Sequence, residues 1–342
     1  MYPKISIIIL NWNQWKVTLE CLESLHQIIY PNYDIILIDN GSEDGSVEKI
    51  KSCVESKILI KDGSSECSPI CVYTKILEYT KEEAEAERGS DNEIVNTSPD
   101  RKFIIIKNEK NYGYVEGNNI GIKYVMKSSN PDYILILNND TIVDENFLGQ
   151  LINVAESDDK IGIVGPKIYY YNTKRIWSTG DMKHSGKIDD GKFDKIIEVK
   201  WVNGCASLIK RSVIENVGLL DKDYSIYSED VDYCTRVIKA GYKLYCAPLS
   251  IIWHKESYTK IKPQKVYYDS RNNILLKVKN SKGLGLFNSM VKYLIISYPL
   301  YICQNPKYLS LSLRGTLDGL LWWAGIKPAG FNTKIDFSKF NK

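Results

Sequence analysis

Residues 133–145 read YILILNNDTIVDE. An apolar run, Tyr133–Leu137, stops abruptly at two amides and a carboxylate: Asn138, Asn139 and Asp140. A short apolar run bounded by turn formers is the pattern of a strand covered on both faces, and the polar residues that end it stand at its carboxyl end. The same pattern occurs upstream, where Ile5–Leu10 is followed by Asn11 and Asn13, and Ile35–Asp39 closes on Asp39 and Asn40. Between these runs one helical period places Val17, Cys21, Leu25 and Ile28 on one face, and a second aligns Val47, Ile50 and Val54. Further strands are predicted at Phe103–Lys107 and Tyr133–Leu137, with a helix over about 115–127 between them. This alternation predicts an α/β fold with a mainly parallel central sheet flanked by helices, in which ligands collect at the carboxyl ends of the strands. For any one polar strand end, capping the next helix is the ordinary role. The three together predict a shared site.

The bulk composition is compatible with such a fold. A chain of 342 residues, 44% hydrophobic, buries a sizeable core as one large domain or two smaller ones. Its eight cysteines are too scattered for a disulfide framework, and Cys67 and Cys71 lack partners at zinc-finger spacing. Mostly buried, reduced thiols are expected, and hence a cytoplasmic protein. MYPKISIIIL reads as a first strand, its apolar stretch being too short for a signal peptide or anchor. Residues 61–101 interrupt the rhythm with a polar, partly acidic stretch, expected to be an insertion with a short helix at about 71–87 and mobile ends.

The net charge of +3 hides an asymmetry. Residues 251–342 hold 15 Lys and Arg against 4 Asp and Glu, net +11, whereas residues 1–250 hold 30 against 38, net −8. The basic residues alternate with apolar runs, Val291–Cys303 and Gly319–Ile326, each shorter than the roughly 18–20 residues of a spanning helix. That combination suits a helical extension lying on an anionic membrane surface; the plain alternative is helices packed on the main core. The apolar runs are too long for a face that tracks nucleic-acid phosphates.

Seven segments, in order, carry a resemblance: ISIIILNWN, LIDNGSEDGS, NEKNYGYVEGNNIGI, LILNNDT, WVNGCASLIKR, SEDVDYCTRVIKAGY and WHKES. The chain resembles the family 2 glycosyltransferases of GT-A fold, especially the rhamnosyltransferase-like branch, over about residues 4–280 apart from the insertion. The resemblance implies a GT-A domain at 1–280, followed by the basic, apolar extension at 281–342. It also implies a nucleotide-diphosphate sugar donor, a divalent cation (Mg²⁺ or Mn²⁺) and inverting transfer; the lack of a Q-x-x-R-W motif and of multiple spanning helices predicts non-processive transfer, and the basic, apolar tail suggests a glycan or lipid-linked glycan acceptor at the inner face of the cell membrane.

Chemistry explains the residue types. Sugar transfer leaves negative charge on a diphosphate, which a hard cation held by carboxylate oxygen neutralises. By resemblance Asp140 is the metal ligand, with His254 near the metal, although a lone His is more often a core or surface residue. The family signature is Asp-x-Asp; here Asn138-Asn139-Asp140 puts an amide first, implying that Asn138 bonds the donor's ribose or sugar. Asp39, also legible as a turn residue before Gly41, matches the position that accepts the N3–H of a pyrimidine. Asn11, Asn13, Asn40 and Asn139 join the donor site, which Gly117 and Asn118 line. Transfer also requires a base for the acceptor hydroxyl. Glu229, Asp230 and Asp232 begin a predicted helix, where they complement its dipole and where crowding raises the proton affinity of one of them. The family's Glu-Asp motif selects Asp230 as base, with Glu229 helping to place the acceptor and Arg236 beside Asp232. Trp201 and Gly204 match the floor between donor and acceptor. A dinucleotide oxidoreductase would need G-x-G-x-x-G where the chain has Asn11-Trp12-Asn13-Gln14. An inactive sugar-binding relative would be expected to lack Asp140 or Asp230.

Overall fold

The computed structural model describes residues 2–55, 76–86, 102–180, 185–255, 262–304 and 306–326. The chain divides into two compact units, Met1–Leu220 with Arg236–Tyr258, and Asp221–Thr235 with Thr259–Lys342.

The first unit begins β1 (Ile5–Asn11), α1 (Trp15–His26), β2 (Tyr33–Asp39), α2 (Ser46–Glu55), β3 (Ile76–Thr80), α3 (Lys81–Glu85) and β4 (Phe103–Lys107). It continues through α4 (Gly113–Ser128), β5 (Tyr133–Asn138), β6 (Thr141–Val143), α5 (Phe147–Ala155), β7 (Ile161–Tyr170) and β8 (Ile176–Ser178). Then come β9 (Ile197–Val199), β10 (Ala206–Lys210), α6 (Arg211–Val217), α7 (Glu229–Lys239), within which the division falls, and β11 (Lys243–His254). Among the described residues the strands form one sheet in the order β3-β4-β2-β1-β5-β10-β7-β11-β6, with β8 on β7 and β9 on β11. The half from β3 to β5 is parallel, as the alternating pattern predicts. Beyond it β10 runs antiparallel to both neighbours and β6 antiparallel to β11. Isoleucines 5, 7, 8 and 9 are fully buried, and each such side chain removed from water contributes about 1.5–3 kcal/mol.

Two local readings change. The helix expected at about 71–87 is instead, within its described part, the edge strand β3 followed by α3, the remainder lying outside the described residues. β3 forms because Ile76–Thr80 pairs in parallel with Phe103–Lys107, and α3 starts where Thr80 and Glu83 make a capping box. In α1 the buried face is Thr18, Leu19, Cys21, Leu22, Ser24 and Leu25, and Ile28 lies beyond the helix end. The thiols Cys21, Cys205, Cys234 and Cys246 are free and buried and Cys303 is free and exposed, as expected, whereas Cys53 is disulfide-bonded.

In the second unit, α8 (Pro263–Asn280) is followed by α9 (Gly283–Lys292), a π-helical turn (Tyr293–Ser297), α10 (Tyr298–Gln304) and α11 (Leu309–Trp323). Gly315 and Gly319 bring α11 against α8: a Cβ there would lie 2.3 Å from Tyr267 O and 2.9 Å from Arg271 O. By sequence alone Val291–Cys303 is too short to span a bilayer. The π-helical turn joins α9 to α10, so Gly283–Cys303 is one helical stretch of 21 residues, long and apolar enough to cross a membrane by length and composition.

Glycines test the packing of the first unit. Gly121→Ala would bring a Cβ within 2.8 Å of Ile8 Cγ2 and should destabilise by about 1–3 kcal/mol. Gly149→Ala, within α5 and facing open space, should stabilise by up to about 1 kcal/mol. Urea unfolding of the two variants measures both.

Candidate functional site

Register brings the polar strand ends together. Asn11 pairs with Asp39 across β1 and β2, and Leu10 with Asn138 across β1 and β5, so the carboxyl ends of three adjacent parallel strands lie side by side. Asn11 Nδ2 donates to Asp39 Oδ1 at 2.7 Å, Thr18 Oγ1 donates to Asn11 Oδ1 at 2.8 Å, and the Ser42 amide donates to Asp39 Oδ2 at 3.0 Å. Asp39 is buried, so these donors do the work of lost solvent. Each carboxylate oxygen still has a lone pair for a further N–H. Asn13, in the left-handed region with φ 53°, ties this loop to the next strand's loop: its amide donates to Ser42 Oγ and its side chain accepts from Glu43 N.

Asn40 organises the next layer. Its Nδ2 donates to Asn111 Oδ1 (2.9 Å) and Gly113 O (3.1 Å), and its Oδ1 accepts from Asn108 Nδ2 and Tyr112 N. Gly117 leaves room for this arrangement, since a Cβ would lie 2.6 Å from Leu10 Cδ1 and 3.3 Å from Asn40 Nδ2. Asn118 is buried and donates to Tyr114 O within its own helix. The Tyr114 hydroxyl lies 3.1 Å from Asn138 Oδ1 and 2.8 Å from Gly204 O, linking α4, β5 and the 201–205 segment. Trp201 in that segment is half-buried, its Nε1 buried without a hydrogen-bond partner among the described residues.

The Asn138–Asp140 turn reverses the chain into β6, which pairs antiparallel with the end of β11 so that Thr141 faces His254. A register shift between Ala247 and Ile251 precedes that end, a bulge of the kind that re-aims a strand. The result is Asp140 Oδ1 at 3.0 Å from His254 Nε2, with His254 buried and the Asp140 side chain about one-third exposed. The Trp177 ring stands 4.6 Å from the imidazole, centroid to centroid. Burial opposes charge on His254, but Cys205 and the Asp140 carboxylate outweigh it and hold its protonation well above the ordinary imidazole range. Behind the pair, burial pushes the Cys21 thiol up to about 12, leaving it inert. Asn139 Nδ2 donates to Thr18 Oγ1 at 2.9 Å.

Asp140 and His254 offer a carboxylate oxygen and, once a cation displaces its proton, an imidazole nitrogen at one strand end. No group of three or more metal-ligating residues occurs among the described residues. Two protein ligands suit Mg²⁺ or Mn²⁺, which take their remaining ligands from phosphate oxygens and water.

Glu229, Asp230 and Asp232 belong to the second unit, and Arg236, on the same helix, to the first. Arg236 donates to Leu219 O at 3.0 Å and Val217 O at 3.3 Å. Asp232 Oδ1 accepts from Asn280 Nδ2 at 3.2 Å and the Tyr224 hydroxyl at 3.3 Å. Glu229 is buried, its Oε2 without a hydrogen-bond partner among the described residues; burial first, and the charge of Asp230 second, push its carboxyl up to about 8. Sequence reasoning missed Thr18, Ser42, Tyr114, Cys205 and Trp177. Ser42, Tyr114 and Cys205 sit inside quoted motifs, whereas Trp177 reaches the site through β8 and leaves no sequence signal.

The family model described as "Glycosyl transferase family group 2" matches residues 133–317, and that of "Glycosyl transferase family 2" matches residues 6–65. The chain is 25% identical to the low-salt glycan biosynthesis hexosyltransferase Agl10 of Haloferax volcanii over 227 residues, 61% of this chain and 73% of that protein. It is 24% identical to the dTDP-rhamnosyl transferase RfbF of Shigella flexneri over 230 residues, 62% and 76% of the two chains. Among solved structures, a mannosyltransferase from Pyrobaculum calidifontis, determined with GDP-Man and Mn²⁺, superposes with a TM-score of 0.54 at 11% identity, covering 94% of this chain and 88% of that one. The shared architecture is the GT-A fold.

The Glu229 carboxyl gives a pH test. Its folded-state pKa lies above the unfolded value, so the stability it contributes is present in full below the ordinary carboxylate pKa and is lost as pH rises toward about 8. Glu229→Gln removes that dependence, so its melting temperature relative to the unsubstituted protein should rise from pH 5 to pH 8. Thermal melts at the two pH values check this.

Proposed function

Because the chain belongs to glycosyl transferase family 2, we propose that it moves a sugar, with inversion, from a nucleotide-diphosphate donor to a hydroxyl of a glycan acceptor. The observation that carries this reading is the row of strand ends, Asn11, Asp39 and Asn138, continued by the Asp140–His254 pair. Asp39, fixed by Asn11 and Ser42, accepts an N–H of the base, and Asn138 bonds the ribose or sugar. Asp140 and His254 would hold a divalent cation, whose chemistry when bound is to neutralise charge on the departing diphosphate. The Asp230 carboxylate takes the acceptor proton. The hydroxyl oxygen bonds the anomeric carbon from the face opposite the leaving group, and the carbon–oxygen bond to the diphosphate breaks, its electron pair leaving with the nucleotide. Glu229, kept neutral near pH 7 by burial, leaves the negative charge to Asp230. The 24–25% identity to hexosyl- and rhamnosyltransferases supports a hexose or deoxyhexose as the transferred sugar.

Two substitutions separate binding from chemistry. Asp140→Ala should abolish Mn²⁺-dependent binding of nucleoside diphosphates in calorimetry. Asp230→Asn should leave that binding within about twofold and lower turnover by roughly 10² or more in a nucleotide-release assay. Unchanged affinity in the first variant removes Asp140 from the cation site; near-normal turnover in the second moves the base elsewhere.

We further propose that the second unit docks on an anionic cytoplasmic membrane surface, where a lipid-linked acceptor is presented. Leu284, Phe287, Ile295 and Leu300 are exposed along the Gly283–Cys303 stretch, within the part of the chain that carries net +11. Each Lys or Arg near such a surface contributes about 1 kcal/mol, screened by salt. Flotation with vesicles rich in phosphatidylserine should therefore be strong at low salt and lost in Leu284→Asp/Phe287→Asp/Ile295→Asp. Equal flotation of both proteins would exclude this face.

A further inference from the structure

The segment that leads into Glu229 and Asp230 has an unusual backbone. Ser225, Tyr227 and Ser228 have φ of 58°, 63° and 65°, three positive values at residues other than glycine within four positions. Ser225, with ψ −57°, is the centre of a tight γ-turn closed by Ile226 N donating to Tyr224 O at 2.6 Å. Conformations of this kind persist only where the surroundings over-determine them.

What determines this one is a single side chain on α8. Asn272 is fully buried, and its Nδ2 stands 2.6 Å from Tyr227 O, 2.9 Å from Ile226 O and 3.4 Å from Tyr224 O. Carbonyl oxygens converging on one point repel one another unless a donor sits between them. Fully buried Arg271 sets the orientation of that amide, because its Nε donates to Asn272 Oδ1 at 3.0 Å and so turns the nitrogen toward the loop. The Arg271 guanidinium also donates to Asp223 O. α8 in turn is held by the close approach of α11 at Gly315 and Gly319. Ser228 O accepts from Asp232 N at 3.0 Å, so the residue on which the left-handed run ends also makes the first hydrogen bond of α7.

We propose that Asn272, oriented by Arg271, is a positioning residue: its amide holds residues 224–228 in their left-handed form and thereby aims the carboxylates of Glu229 and Asp230. The catalytic half of this statement rests on the reading of Asp230 as base; the clamp itself does not. A misplacement of about 1 Å in a catalytic group costs up to roughly 10²-fold in rate, so a clamp that acts through the backbone before Glu229 has a kinetic signature.

The test uses Asn272→Asp, which keeps the shape and replaces the donor with an acceptor. In hydrogen–deuterium exchange of the full chain, uptake should rise in peptides covering 224–232 and stay unchanged over 133–138. Hydrolytic release of nucleoside diphosphate from a panel of UDP-, GDP- and dTDP-sugars should fall at least about tenfold, with nucleoside diphosphate affinity held within about twofold. Adding Ser225→Gly and Ser228→Gly, residues that adopt positive φ without steric cost, should restore turnover at least about threefold. Unchanged uptake over 224–232, or uptake rising equally over 133–138, overturns the clamp. Should Asn272→Asp prove too unstable to purify, Asn272→Ser, which keeps one donor, is read by the same two peptides. Raised local uptake with undiminished release supports the clamp and removes Asp230 from the chemistry.

Discussion

The 3.0 Å contact between Asp140 Oδ1 and His254 Nε2 joins two residues 114 positions apart and is the constraint on which the site geometry depends. It exists because the chain reverses directly after Asp140. Three residues of β6 then suffice to pair with the end of β11, which places the imidazole opposite the carboxylate. Neither partner would be aimed this way in isolation. Asp140 needs the turn to leave the sheet, and His254 needs the bulge after Ala247 to arrive at the right height. A carboxylate and an imidazole fixed by two strands lose little conformational freedom when a ligand binds, which is what a preorganised site requires.

Around that pair the strand ends are crowded with amides rather than charges. Asn11, Asn40, Asn138 and Asn139 each carry a donor and an acceptor, so they bond Asp39, Asn108, Asn111, Tyr114, Thr18 and backbone groups without adding a net charge of their own to the buried layer. Of the buried carboxylates at these ends, Asp39 is the one met by two close donors. The carboxylates at these strand ends are Asp39, held by Asn11 and Ser42, and Asp140, held against His254.

The second unit solves a related problem by other means. A buried acid beside a second carboxylate costs free energy unless one of them stays protonated, and Glu229 does so near neutrality. The loop before it is held in strained form by Asn272 and Arg271, both fully buried. Buried polar side chains that serve only to shape a loop are expensive, and they persist where the shape has a use.

The sequence by itself determined the parallel half of the sheet, because strands buried on both faces must be apolar throughout and so appear as unbroken runs such as Ile5–Leu10 and Tyr133–Leu137. It also marked the strand ends, since Asn11, Asp39 and Asn138 interrupt those runs at the one place where polar groups remain compatible with burial. The seven ordered segments carried the family. Beyond these signals, local pattern was silent. β3 forms only because β4 offers an edge, so a polar insertion with weak alternation read as helix. Trp177 reaches His254 through a strand whose own periodicity says nothing of a site, and the continuous helix Gly283–Cys303 appears only once the π-helical turn joins two shorter runs. Asn272 lies inside an ordinary helical stretch, and its role depends on three carbonyls more than forty positions earlier in the chain. Periodicity records which face of an element is buried. Which distant backbone groups come to share that face is decided by long-range packing alone.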